Sequence, residues 1–224
     1  MVSIHWTMRN NMYTVKQAWK EVGGLSDPSK MPGYGTSLPA QECNVGSKLV
    51  KISGSVCSEC YALKGNYIRF KHVGLALYRR LYLMQNNPEW LPAMVFLINW
   101  YGKKTRHFRW HDSGDIQDRE HLIKIRKIAT LTPSITHWLP TREAKLVKEH
   151  IKEFGTFPEN LIVRVSATMI DGKPHKFYKH TSTVVTDSSL TTGWLCPSSK
   201  QGNKCLDCRA CWDKGVRNIS YIKH

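Results

Sequence analysis

Seven cysteines fall in two groups: Cys43, Cys57 and Cys60 early in the chain, and Cys196, Cys205, Cys208 and Cys211 near its end. The late group carries a C-x2-C-x2-C run behind a Cys196-Pro197 turn, a spacing at which thiolates wrap a metal centre. Structural zinc sites usually present two separated C-x2-C pairs, whereas a run that shares its middle cysteine is commoner in clusters. The spacing therefore predicts a [4Fe–4S] cluster, with a four-cysteine zinc site as the alternative. The early group supplies one C-x2-C pair plus Cys43, three ligands rather than four. Two arrangements follow. In the first, the three hold a cluster with one open iron, free to take a substrate or cofactor, and the late four hold a second cluster. In the second, one cluster draws ligands from both ends and stitches them together; parsimony favours it.

Further groups suited to chemistry stand where predicted strands end. His111-Asp112-Ser113-Gly114-Asp115 offers an imidazole, two carboxylates and a hydroxyl beside a glycine that lets a ligand approach the backbone. Thr141-Arg142, Ser166 and Asp187-Ser188-Ser189 follow later strands. His111, Asp112, Asp115, Arg142 and Ser166 are the candidate binders of a small polar molecule. Asp115 or Asp118 also suits the cap of the following helix, and Thr141 the next. Hydrolysis by a Ser-His-Asp set is weakly signalled, because no G-x-S-x-G elbow surrounds Ser113.

Positioning these groups requires an α/β framework. At 224 residues the chain reads as one domain: a loop-rich cysteine segment over 1–65, an α/β core over 66–190 and a cysteine-rich segment over 191–224. Helices are predicted over Thr14–Val22, Asn66–Asn86, Glu89–Trp100, Asp118–Thr130 and Glu143–Phe154, from three- and four-residue apolar spacing and flanking stop signals. In the second, Phe70, Val73, Leu77, Leu81 and Met84 form the apolar face. Strands are predicted over His107–Trp110, Thr136–Leu139, Leu161–Val165 and Thr183–Thr186. Strand–helix alternation with short connections implies a parallel sheet, open or curled into a partial (β/α) barrel, with its functional loops on one rim.

A formal charge of +16 and a sequence pI near 9.6 are what a partner of phosphates or of an acidic protein surface carries. Arg69, Arg79, Arg80, Lys103, Lys104, Arg106, Lys124, Arg126 and Lys127 are candidate contacts to nucleic acid or to an acidic host protein, with a solvated basic surface as the plain alternative. The longest apolar stretch, Trp90 to Tyr101, is too short for the roughly 20 residues a membrane span needs, so no membrane partner is expected. Met1 to Asn11 lack the apolar core of a secretory leader, which predicts thiols kept reduced and free to bind metal.

The chain resembles the phage family called gene product eighty-eight. The residues that carry the likeness are Cys57-x-x-Cys60-Tyr61-Ala62, Arg109 to Asp115, Trp138-x-x-Thr141-Arg142, Arg164-Val165-Ser166, and Cys196-Pro197 followed by Cys205-x-x-Cys208-x-x-Cys211-Trp212. The resemblance implies a phage origin and a place in the host cytoplasm, and brings no settled activity. A looser similarity runs to radical S-adenosylmethionine enzymes, which join a partial barrel to a three-cysteine cluster. Their C-x3-C-x2-C motif is absent and no Gly-Gly-Glu follows the first strand, so S-adenosylmethionine is a possible ligand without a motif to support it. Redox work would also require an electron donor.

Overall fold

The computed structural model describes residues 13–223; the leader reading of Met1 to Asn11 lies outside them. Thr14 opens the first helix, α1 (Val15–Val22), with a reciprocal capping box to Gln17, and Gly23 closes it at φ +74°. After a short helix α2 (Asn44–Leu49) come α3 (Asn66–Arg69), α4 (Lys71–Asn86) and α5 (Trp90–Thr105). The expected single helix over Asn66–Asn86 is thus two. Phe70 is extended at φ −106°, ψ 107°, which swings its ring out to 42% exposure, while Leu77, Leu81 and Met84 stay buried. Helix α5 runs beyond its predicted end at Trp100, and Pro92 is accommodated in its first turn as expected.

Strand β1 (His107–Arg109), α6 (Arg119–Leu131), β2 (Thr136–Thr141), α7 (Ala144–Phe154), β3 (Leu161–Ser166) and β4 (His180–Val185) then alternate. Asp118 caps α6 by accepting the His121 N–H, as the sequence predicts. Two further strands, β5 (Trp194–Leu195) and β6 (Asn218–Ile222), lie in the segment read as cysteine-rich loop. The six strands form one sheet of order β1-β2-β3-β4-β6-β5, every pair parallel, curled into a half-barrel. Among the described residues no helix is long and apolar enough to cross a membrane.

Strand side chains alternate between faces, and the two faces meet different company. Phe108, Leu139, Val163 and Val165 join Leu122, Ile125 and Ile128 of α6 and the apolar side of α5 in the main core. Trp138 and Ile219 point the other way and pack with Ala210, Cys211 and Trp212. The β5–β6 crossover, which carries all four late cysteines, therefore covers the face that the helices leave bare.

Candidate functional site

Parallel strands deliver every following loop to one rim, and the early cysteine segment is laced along that rim. The Leu38 N–H donates to Ser113 O and the Asn44 side chain to Gln117 O, both after β1. The Val45 N–H donates to the Glu143 carboxylate after β2, and the Val56 N–H to Thr168 O after β3. Cys43 and Cys57 ride on these stitches, so residues distant in sequence meet above the ends of β1 and β2. Gly46 gives them room. A Cβ there would stand 2.8 Å from Cys43 Cβ, 3.6 Å from Cys43 Sγ and 3.7 Å from Cys57 Sγ.

Asp115 ties the loops beneath this group. Its carboxylate accepts from the Ile116 N–H (2.8 Å), the Thr141 hydroxyl (2.6 Å) and the Arg142 N–H (2.8 Å). Burial pushes the Asp115 carboxyl up, and these donors oppose the shift. Thr141 in turn accepts from the Glu143 N–H at 3.0 Å. Burial pushes the Cys43 thiol up to about 12, with Asp115, Cys60 and Cys57 adding and Arg142 opposing. The Cys57 thiol is raised by burial as well, against the charge of Arg142. A positive charge beside such thiols favours their ionisation against burial and mutual repulsion, and a metal is one source of it. The Arg142 Nε is buried without a hydrogen-bond partner.

The structure brings Asp115 and Arg142 to the early thiols; Asp112 meets that segment through its backbone O, which accepts the Tyr61 hydroxyl, and His111 and Ser166 are engaged elsewhere. His111, at φ +58°, turns into the core behind the sheet, its ring 5.2 Å from that of His121, with both nitrogens unpartnered. Burial holds its imidazole well below the ordinary range. Asp112 pins the N-terminal segment by accepting the Ser26 and Ser37 hydroxyls, and it pairs with Arg109 at 3.5 Å. The close approach at Gly114 is made by the chain's own Leu38, since a Cβ there would meet Leu38 Cβ at 2.6 Å. Ser166 shares a 2.9 Å hydrogen bond with Ser182.

The late cysteines gather in the β5–β6 crossover, against the sheet face that carries Trp138 and Ile219. Cys196 follows β5 directly, with its Sγ 3.2 Å from Ser198 Oγ. The Cys205 N–H donates to Lys30 O, and the Cys208 N–H to Cys205 O. Cys211 is buried, with its Sγ 3.3 Å from Tyr221 Oη. Burial pushes the Cys211 thiol up to about 12, with Cys196 adding; Cys205 is raised by burial, then by Cys196 and Cys208. A cavity of ≈ 440 Å³ at the ends of β4, β5 and β6 is lined by Asp187, Cys196 and Lys200 among others. Among the described residues, no three His, Cys, Asp or Glu side chains are gathered tightly enough as they stand to hold a metal ion.

Arg164 fixes this segment. Fully buried, it donates to the carbonyls of Cys211, Ala210, Asp213 and Val216 at 3.0, 2.9, 2.9 and 2.8 Å. A lone arginine inside the apolar run Leu161–Val165 was the visible signal for such a role. Glu143 and Tyr221 also escape the sequence reading; Glu143 sits beside Arg142 in sequence, whereas nothing near Tyr221 points to Cys211. Two of the basic candidates are structural: Arg80 donates to Gly23 O and Leu25 O, and Lys124 to Met84 O. No curated protein and no solved structure matches the chain. A family profile described as Gene product 88 matches residues 7–214, nearly the whole length, and the chain belongs to this phage family.

Proposed function

We propose that the chain is an iron–sulfur protein with two centres: one on Cys43, Cys57 and Cys60 at the rim, the other on Cys196, Cys205, Cys208 and Cys211. The observation that carries the reading is the convergence of Cys43 and Cys57 around Gly46, a position where a Cβ would press on both residues. What supports two centres over a single shared cluster is that the thiols neighbouring Cys43 and Cys57 are early ones and those neighbouring Cys205 and Cys211 are late ones. Cys43, Cys57 and Cys60 would hold the rim cluster, which would supply electrons for redox or radical chemistry on a substrate, S-adenosylmethionine included. Asp115 and Arg142 stand beside that position. Arg142 offers an unpaired N–H to an anionic group of a small molecule or nucleotide, and Asp115 holds the Arg142 backbone in place. The late four thiols form a closed set on a fixed segment, suited to electron relay or to a structural ion. Such a protein works in the reducing host cytoplasm with an electron donor.

Anaerobic purification followed by iron, sulfide and zinc analysis, with absorption spectra before and after dithionite, tests the reading. About eight irons per chain and a band near 400 nm that bleaches are expected. Gly46→Ala is expected to lose about half the iron and to leave circular dichroism unchanged. About four irons, lost together when either cysteine set is substituted, return the shared cluster. Stoichiometric zinc in a colourless protein overturns the iron–sulfur assignment.

A further inference from the structure

From Tyr61 to Pro88 the sequence contains no Asp or Glu, yet it carries Lys64, Arg69, Lys71, Arg79 and Arg80. Helices α3 and α4 lie in this stretch and, among the described residues, leave one side without a partner. Ile68 is 55% exposed, Leu75 72%, Tyr78 46% and Tyr82 65%. In α4, Leu75, Tyr78 and Tyr82 follow one another at three- and four-residue steps, so they share a face, with Lys71 and Arg79 one turn to either side of Leu75. Phe70, displaced by the break between the helices, extends the row, and the Arg69 guanidinium stands 5.8 Å from its ring centre. The row leads to the rim. Tyr78 Oη donates to the carboxylate of Glu42, next to Cys43, at 3.0 Å, and Tyr67 lies 5.9 Å from the ring of Tyr61, next to Cys60.

Interleaved aromatic rings and cations on a stretch that itself supplies no carboxylate, with Glu42 meeting Tyr78 from outside it, are what a sequence-tolerant single-strand surface requires: rings on which bases stack and charges that follow the backbone. An acidic protein would satisfy the cations but has no need of a file of rings. A duplex offers its phosphates yet keeps its bases stacked on one another. We infer that the α3–α4 face docks single-stranded nucleic acid, with bases stacking on Tyr78, Tyr82 and Phe70 and phosphates meeting Arg69, Lys71 and Arg79. The strand then runs toward the early cysteines. The docking surface stands whether or not those thiols hold iron.

Fluorescence anisotropy of a labelled 12-nucleotide oligothymidine with the full-length, anaerobically purified protein tests the inference, with metal content measured on each preparation. Binding is expected at low salt, weakening as salt rises with a log–log slope of about −2 if three phosphates are neutralised. Tyr78→Ala with Tyr82→Ala is expected to weaken binding at least tenfold at unchanged metal content, whereas Tyr78→Phe keeps the ring and the affinity. Lys148→Ala with Lys152→Ala on exposed positions of α7 is expected to change nothing. Ring variants that bind as tightly as the parent overturn the inference, as does duplex bound as tightly as single strand. Polyglutamate bound with the same dependence on Tyr78 and Tyr82 overturns it in favour of an acidic protein. Self-association abolished by Leu75→Ala, without oligonucleotide binding, overturns it in favour of a second copy.

Discussion

Arg164 shows how one side chain can hold a segment that has few regular hydrogen bonds of its own. A guanidinium is costly to bury unless its N–H groups find acceptors, and here carbonyls of the 210–216 turn supply them. The exchange is mutual, because those carbonyls would otherwise be buried without donors. Arg164→Met is expected to destabilise the protein by about 3 kcal/mol or more. Denaturant unfolding of the purified protein measures the loss, and Cys211 should become reactive to thiol reagents at lower denaturant. A loss below about 1 kcal/mol would mean that water reaches the carbonyls unaided. Residue types and spacing alone marked the seven cysteines as candidate ligands. They did not reveal which way a side chain faces: His111 and Asp112 are adjacent, yet one enters the core and the other pins Ser26 and Ser37.

Among the elements, boundaries governed by local chemistry were readable. The capping box at Thr14, the Asp118 cap and the Gly155 stop at φ +74° coincide with helix ends. The break at Phe70 was not readable, because the apolar spacing continues across it. Nor was β6: Asn-Ile-Ser-Tyr-Ile is a weak strand pattern, and it becomes a strand by pairing with both β4 and β5. The loop-rich early segment owes its order to the rim beneath it. Gly114 is central there, with φ +78° and Leu38 pressed against it. Gly114→Ala places a Cβ in a left-handed conformation and against Leu38, and is expected to cost roughly 1–3 kcal/mol. The check is limited proteolysis: cleavage between residues 26 and 65 should speed up well before the sheet is cut. Equal protection in variant and parent would show that the stitches at Val45 and Val56 hold the segment without it.

For the whole molecule, the helix-covered side buries imidazoles that stay neutral. Burial drives His137 down to about 3, and burial with the nearby Lys124 charge drives His121 down to about 3. His137 is fully engaged, accepting from the Trp110 indole at Nδ1 and meeting the Thr132 hydroxyl at Nε2. In the unfolded chain these rings take up protons below about pH 6.5, while in the folded protein they do not until about pH 3. Their contribution to stability is therefore complete above pH 6.5 and is lost as pH falls toward 3, at about 1.4 kcal/mol per pH unit for each ring. Unfolding measured between pH 7.5 and 5 should show the loss, with a shallower slope in His137→Gln. A flat profile would contradict neutral burial. The sequence by itself determined the two cysteine groups, the alternation of strands and helices and the parallel sheet, because these depend on residue type, short-range periodicity and connection length. Only the tertiary structure decided that the early cysteines lie on the rim and the late ones on the helix-free face. It also decided that Asp115 and Arg142 accompany the early set, and that an exposed aromatic helix face runs up to it. Those placements rest on hydrogen bonds between residues far apart in the chain, such as Leu38 to Ser113 and Arg164 to Cys211, whose partners no local pattern specifies.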